Sequence, residues 1–117
     1  MNKVFKICEK VEWESIKTDD FFEGSKMDQS DGFIHFSTSL QLKGTLEKHF
    51  KSKSQLYLLE VNTDNLDIVW DVSRNNELFP HLYQPLPLGA VAKVYKILIL
   101  VIVAQIVKKL LMAETLM

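Results

Sequence analysis

Short β-type runs alternating with two stretches of helical periodicity predict an α+β domain, and three observations carry that prediction. Residues 3–8, 55–61 and 67–72 are short runs rich in Val, Ile, Phe, Tyr and Trp, the composition of strands. Helical periodicity is confined to the N-terminal half, over residues 11–18 and 39–51. A chain of 117 residues, 47% hydrophobic and 25% charged, closes one core and has no room for a second. The expected architecture is a single compact domain over residues 1–96, with a mixed, mostly antiparallel sheet and two helices in its first half. An apolar tail over residues 97–117 follows.

Taken in order, Val4, Phe5 and Ile7 mark the first strand. Val11, Trp13 and Ile16 stand in a charged segment ending at Thr18-Asp19-Asp20, the pattern of a short helix with one face on the sheet. Residues 24–32 are rich in turn formers without periodicity and predict a surface loop, the kind of segment that often carries function. Phe33-Ile34-His35-Phe36 predicts a short strand. Thr38 followed by Gln41 forms a capping box, and Leu42, Leu46, His49 and Phe50 share one helical face, so a helix spans about 39–51. Residues 73–89 hold all three prolines and predict a long ordered loop, before a last strand over 90–96. The apolar run 97–104 is far shorter than the ~20 residues that span a bilayer. It predicts a buried strand leading into a helix, or a surface for a second subunit.

Charge excludes more than it assigns. Fourteen Lys and Arg against fifteen Asp and Glu leave a net charge of -1, without the basic footprint of a nucleic-acid binder. The lone Cys8 lies in an apolar run and reads as a buried small hydrophobe of a reducing compartment. Charged residues interrupt the N-terminus before an apolar run reaches signal-peptide length, so the expected location is the cytoplasm.

Chemistry narrows to a few side chains. His35 ends a strand just before a helix N-terminus, where free backbone N–H groups favour an anion. His81 follows Pro80 among aromatics that hold an imidazole in one pose. Arg74 is the only arginine beside thirteen lysines, and a guanidinium suits bidentate recognition of phosphate or carboxylate. His35, Arg74 and His81 are the candidate catalytic residues, expected to converge on one cleft; Asp31, Ser37, Thr38 and Tyr83 are the candidate ligand-binding residues. Against each stands a plain structural role: a helix cap, a packed Pro-aromatic loop, an internal ion pair. Asp31 and His35, four apart, match no compact metal-ligand spacing, and no metal is expected. Isolated glycines provide no phosphate loop.

The segment Asp28-Gln29-Ser30-Asp31-Gly32-Phe33-Ile34-His35-Phe36-Ser37-Thr38, then Gln41, Thr45, His49-Phe50, Leu58-Leu59, Ser73-Arg74 and Leu78-Phe79-Pro80-His81-Leu82-Tyr83, resembles the bacterial domain of unknown function 952 family. With the opening Val-Phe-Lys-Ile-Cys run and Trp13, the resemblance covers residues 1 to about 96. It implies a fold similar to the ADP-ribosyltransferase group, which includes the RNA 2'-phosphotransferases and holds NAD in a central cleft. There a strand-end histidine contacts a ribose and a Ser-Thr pair shapes the nicotinamide pocket, the roles implied for His35, Ser37 and Thr38. The implied function is nucleotide or NAD binding with ADP-ribosyl transfer, Arg74 taking a phosphate; the alternative is a non-catalytic small-ligand or protein-binding module. The chain departs from the group in lacking an acceptor-activating glutamate motif, Glu77 being a nearby candidate, and in carrying a single arginine. It is too short for the two domains of a glutathione transferase, a label some relatives carry.

Overall fold

The computed structural model describes residues 2–53 and 55–97, and among them every strand pairing is antiparallel. The largest layer is the sheet β1-β4-β8: β1 (Lys3–Glu9) and β8 (Val91–Lys96) flank β4 (Leu56–Asn62). Central β4 is apolar on both faces, burying Leu59 and Val61 completely, because a core cluster packs on each face. A second sheet runs β3-β6-β5, with β3 (Ile34–His35) and β5 (Ile68–Val72) on either side of β6 (Leu78–Leu82). The small pair β2 (Phe21–Phe22) and β7 (Leu86–Pro87) makes a third. One isolated bridge joins the two larger sheets: the Phe5 N–H donates to the Ser37 carbonyl and the Ser37 N–H to the Phe5 carbonyl, each at 2.8 Å.

The core collects side chains from all three sheets. Val4, Cys8, Phe22, Phe36, Leu59 and Leu82 pack in one cluster, and Ile7, Leu56 and Ile97 in a second beneath Leu42, Leu46 and Phe50 of the helical face. The α+β class therefore holds. Its details differ from the sequence expectation: the strands form three sheets instead of one, and three helices precede residue 50 instead of two. Helix α1 (Lys10–Ile16) packs Trp13 and Ile16 on the core but leaves Val11 exposed. Helix α3 (Leu42–His49) starts later than expected, because Ser39–Gln41 forms a 3-10 turn first.

Two corrections matter for the site. The expected loop at 24–32 contains helix α2 (Lys26–Asp31), whose N-cap Ser25 accepts from the Asp28 N–H at 3.1 Å while Asp28 accepts from the Ser25 N–H at 2.9 Å. A capping box substitutes here for the apolar periodicity the segment lacks. The expected loop at 73–89 contains β6, with Pro80 inside a central strand. Antiparallel residues aim N–H and C=O at the same neighbour, and the Pro80 carbonyl accepts from the Phe36 N–H at 3.0 Å. The missing proline N–H thus faces β3, whose ladder is only Ile34 and His35, so no pairing to β5 is lost. Of the tail, only Ile97 falls among the described residues, where it is buried; the expectations for 98–117 lie outside them. No helix among the described residues is long and apolar enough to cross a membrane.

Candidate functional site

A cavity of about 240 Å³ opens where the two larger sheets meet. Its walls come from β1, both ends of α2, β3 and the residues after it, the C-terminal half of α3, the β5–β6 turn and β6. His35, Arg74 and His81 all line it, together with Asp31 and Ser37. Thr38 and Tyr83 do not line it. Thr38 is occupied in starting the helix: its N–H donates to the Gln41 side-chain oxygen at 3.1 Å and its carbonyl accepts from the Gln41 N–H at 3.1 Å. It is therefore the far half of α3, through Thr45, Lys48 and His49, that faces the cavity, and not the helix N-terminus expected from sequence.

His35 and His81 stand directly opposite each other on β3 and β6, their ring centroids 5.4 Å apart. The Phe33 ring covers them both, 4.5 Å from His35 and stacked 4.2 Å from His81. His35 is held by two carboxylates, Nδ1 at 2.5 Å from Asp28 and Nε2 at 3.0 Å from Asp31. A carboxylate only accepts, so this geometry is satisfied when both ring nitrogens carry hydrogen. His81 is buried and spends one nitrogen, with Nδ1 at 2.8 Å from Asp71, which also accepts from the Tyr83 hydroxyl at 2.6 Å. Asp71 lies opposite Phe79 and so diagonal to His81 on the same face. The Tyr83 and His81 hydrogen bonds hold its carboxyl below the usual range, and Asp71 in return raises the Tyr83 hydroxyl.

Asp28 anchors the floor. Besides His35 Nδ1, its carboxylate accepts from the His35 N–H at 3.2 Å and meets the Lys6 ammonium at 2.6 Å, with both side chains shielded from solvent. Burial by itself raises a carboxyl, but the hydrogen bond from His35 and the Lys6 charge outweigh it and leave Asp28 well below the ordinary range. Gly24, at φ +101°, brings the chain past Asp28: a Cβ there would sit 2.6 Å from the Asp28 Cβ.

Arg74 is displayed by a tight turn in which Asn75 and Asn76 both adopt positive φ, 57° and 60°, a conformation asparagine tolerates better than most residues. Its guanidinium lies over the Phe79 ring, 4.8 Å from the centroid, and donates to the Thr45 hydroxyl at 3.4 Å. Thr45 also meets the Ser37 hydroxyl at 2.8 Å. Among the described residues no carboxylate lies within ion-pair distance of Arg74 or Lys48. Gly44 makes the approach possible, since a Cβ there would come within 2.9 Å of the guanidinium. Burial, then Lys48 and Arg74, press the His49 imidazole below its ordinary range, as in a group facing cations with no anion between them. Cys8 stands apart, its thiol pushed up to about 12 by burial.

Five of the seven candidates named from sequence thus line the cavity, whereas Asp28, Lys6, Thr45, Lys48 and Asp71 were missed as partners. The Ser25-x-x-Asp28 spacing was the available signal for Asp28. Nothing local marks Asp71 or Lys6, whose partners His81 and Asp28 lie on other elements.

A small antiparallel α+β domain with a cationic, hydroxyl-lined cavity between its sheets is the class these observations define. Within that class the chain belongs to the family described as Protein of unknown function (DUF952), whose model matches residues 7–94. Protein CC0527 from Caulobacter crescentus is similar over most of its length: its X-ray structure is 38% identical with a TM-score of 0.75, covering 80% of this chain and 84% of that one. Its solution NMR structure is 39% identical with a TM-score of 0.71, covering 81% and 84%. None of the curated proteins matches the chain.

Proposed function

We propose that the cavity binds a nucleotide through its phosphate, with NAD as the ligand and ADP-ribosyl transfer as the chemistry. The observation that carries this reading is Arg74. A half-buried guanidinium stacked on Phe79, facing Thr45 and Ser37 hydroxyls beside Lys48 and His49, has donors in place for an anion and no carboxylate among the described residues to fill them. In ADP-ribosyl transfer the ribose C1' gains oxocarbenium character as nicotinamide departs, and Arg74 would hold the neighbouring phosphate while that charge develops. A ribose hydroxyl reaches His35 by replacing Asp31, whose side chain is 45% exposed.

A second reading, a binding module without transfer, is favoured by one observation. Glu77, the candidate for activating an acceptor, is exposed, lies outside the cavity and accepts from Gln41 at 3.3 Å. Calorimetric titration with NAD, ADP-ribose and inorganic phosphate, run beside an assay for released nicotinamide, separates the two. Binding with release supports transfer, binding without release supports a nucleotide-binding module, and no heat with any of the three sinks the nucleotide reading and leaves a module for another ligand or a protein. In the Arg74→Lys variant the charge persists and the fork is lost, so affinity should drop about tenfold, or ~1.4 kcal/mol, with the fold intact.

A further inference from the structure

We infer that His81 is the proton acceptor of the cavity and that Asp71 is its positioning residue. The inference starts from how the two histidines are used. His35 has both ring nitrogens committed to carboxylates, so it has no lone pair to offer. His81 Nδ1 donates to Asp71 at 2.8 Å, which in the neutral ring puts the hydrogen on Nδ1 and leaves Nε2 without one, and among the described residues nothing hydrogen-bonds that nitrogen. The ring cannot turn away: it is buried in β6 and covered by Phe33 at 4.2 Å. Asp71 is itself fixed by Tyr83, whose hydroxyl donates to the same oxygen at 2.6 Å. A carboxylate that orients an imidazole and stabilises it once protonated is the arrangement general bases use. The charged and titratable groups facing His81 are His35 from β3, Asp71 from β5 and Tyr83 just beyond β6, with Lys6, Asp31, Arg74, Lys48 and His49 around the cavity.

The chemistry on NAD rests on the nucleotide reading above. There, Nε2 takes the proton of a water or acceptor hydroxyl as its oxygen forms the bond to ribose C1'. The C1'–N bond breaks and nicotinamide leaves neutral with the bonding pair. The imidazolium, paired to Asp71, later returns the proton to solvent. Water as acceptor gives ADP-ribose, and an alcohol gives its ADP-riboside. This arrangement supplies the base that Glu77 does not.

Long-range proton–nitrogen NMR of histidine-labelled protein reads the tautomer without any ligand. In the neutral ring His81 should show a protonated Nδ1 and a bare Nε2. Asp71→Ala should move it toward the Nε2–H form, while Tyr83→Phe should leave it in place. Wild-type His81 with Nε2–H, or a tautomer indifferent to Asp71→Ala, overturns the inference whatever the protein binds. Where nicotinamide release is seen, Asp71→Ala should lower kcat by about 10²-fold or more and displace the acid limb of the pH–rate profile. An unchanged profile overturns the assignment. Should NAD neither bind nor react while His81 keeps its bare Nε2, the nucleotide reading falls and the proton acceptor stands.

Discussion

Replacing Asp28 by asparagine should be among the most damaging single changes to this protein that leaves side-chain volume intact. The carboxylate is 1% exposed at the residue level and receives Lys6 Nζ, His35 Nδ1 and two backbone N–H groups within 2.5 to 3.2 Å. Asparagine keeps the shape but leaves the Lys6 ammonium, itself 5% exposed, without its counter-charge. Breaking one side of a buried ion pair costs about 3–5 kcal/mol. Against a total stability of roughly 5–15 kcal/mol that is a large share, and for a domain of this size it corresponds to a Tm lower by on the order of 10–20 °C. The sign with pH follows from the direction of the shift. Asp28 titrates lower in the folded chain than in the unfolded one, so its contribution is complete above the unfolded value of about 4 and is lost as pH falls below it. Wild-type stability should therefore decline in acid, and Asp28→Asn should lack that part of the slope. Urea unfolding across pH measures both. A variant within ~1 kcal/mol of wild type, with the same acid slope, would refute the view that this ion pair holds the floor of the cavity.

Three further outcomes follow from the geometry. Gly44→Ala should weaken phosphate-ligand binding about tenfold while raising helix stability by up to ~1 kcal/mol, because the new Cβ displaces Arg74 yet suits the helix; parallel calorimetry and thermal melts check the opposite signs. Cys8, its thiol raised to about 12 and its side chain enclosed, should resist a thiol reagent in native protein and react only at the rate of unfolding, which a denaturant series monitors. Ending the chain after Lys96 removes buried Ile97 from Ile7 and Leu56 along with the apolar residues beyond it, and should yield insoluble or strongly destabilised protein. A soluble truncated chain with an unchanged Tm would show that no part of 97–117 is needed by the domain or by a second subunit.

The sequence was most legible where one strand or helix face settles the matter. β1, β4 and α3 follow from apolar spacing alone: the strands bury Val4, Ile7, Leu59 and Val61, and Leu42 and Leu46 of α3 pack partly buried against that core. It was least legible where a polar device replaces periodicity. Helix α2 forms through the Ser25–Asp28 capping box and the burial of a single carboxylate, so an apolar-pattern reading sees only turn formers. β6 was hidden by Pro80, which reads as a strand breaker unless one knows that its missing N–H faces a neighbour that has already ended. The convergence of His35, Arg74 and His81 was inferable from their settings in strand ends and turns. The Asp71–His81 and Lys6–Asp28 pairs were not, since each joins residues on separate elements whose adjacency is a product of register.

The junction of the two larger sheets has a mechanical meaning. Among the described residues Phe5 and Ser37 make the backbone-to-backbone contact between them, beside the shared core and the buried Lys6–Asp28 pair that reaches His35. Ser37 also lines the cavity and shares its hydroxyl with Thr45, so whatever rests against that hydroxyl bears on the joint itself. The contents of the cavity thus bear on the backbone contact between the sheets through one serine, and amide exchange at Phe5 and Ser37 is where that coupling is read.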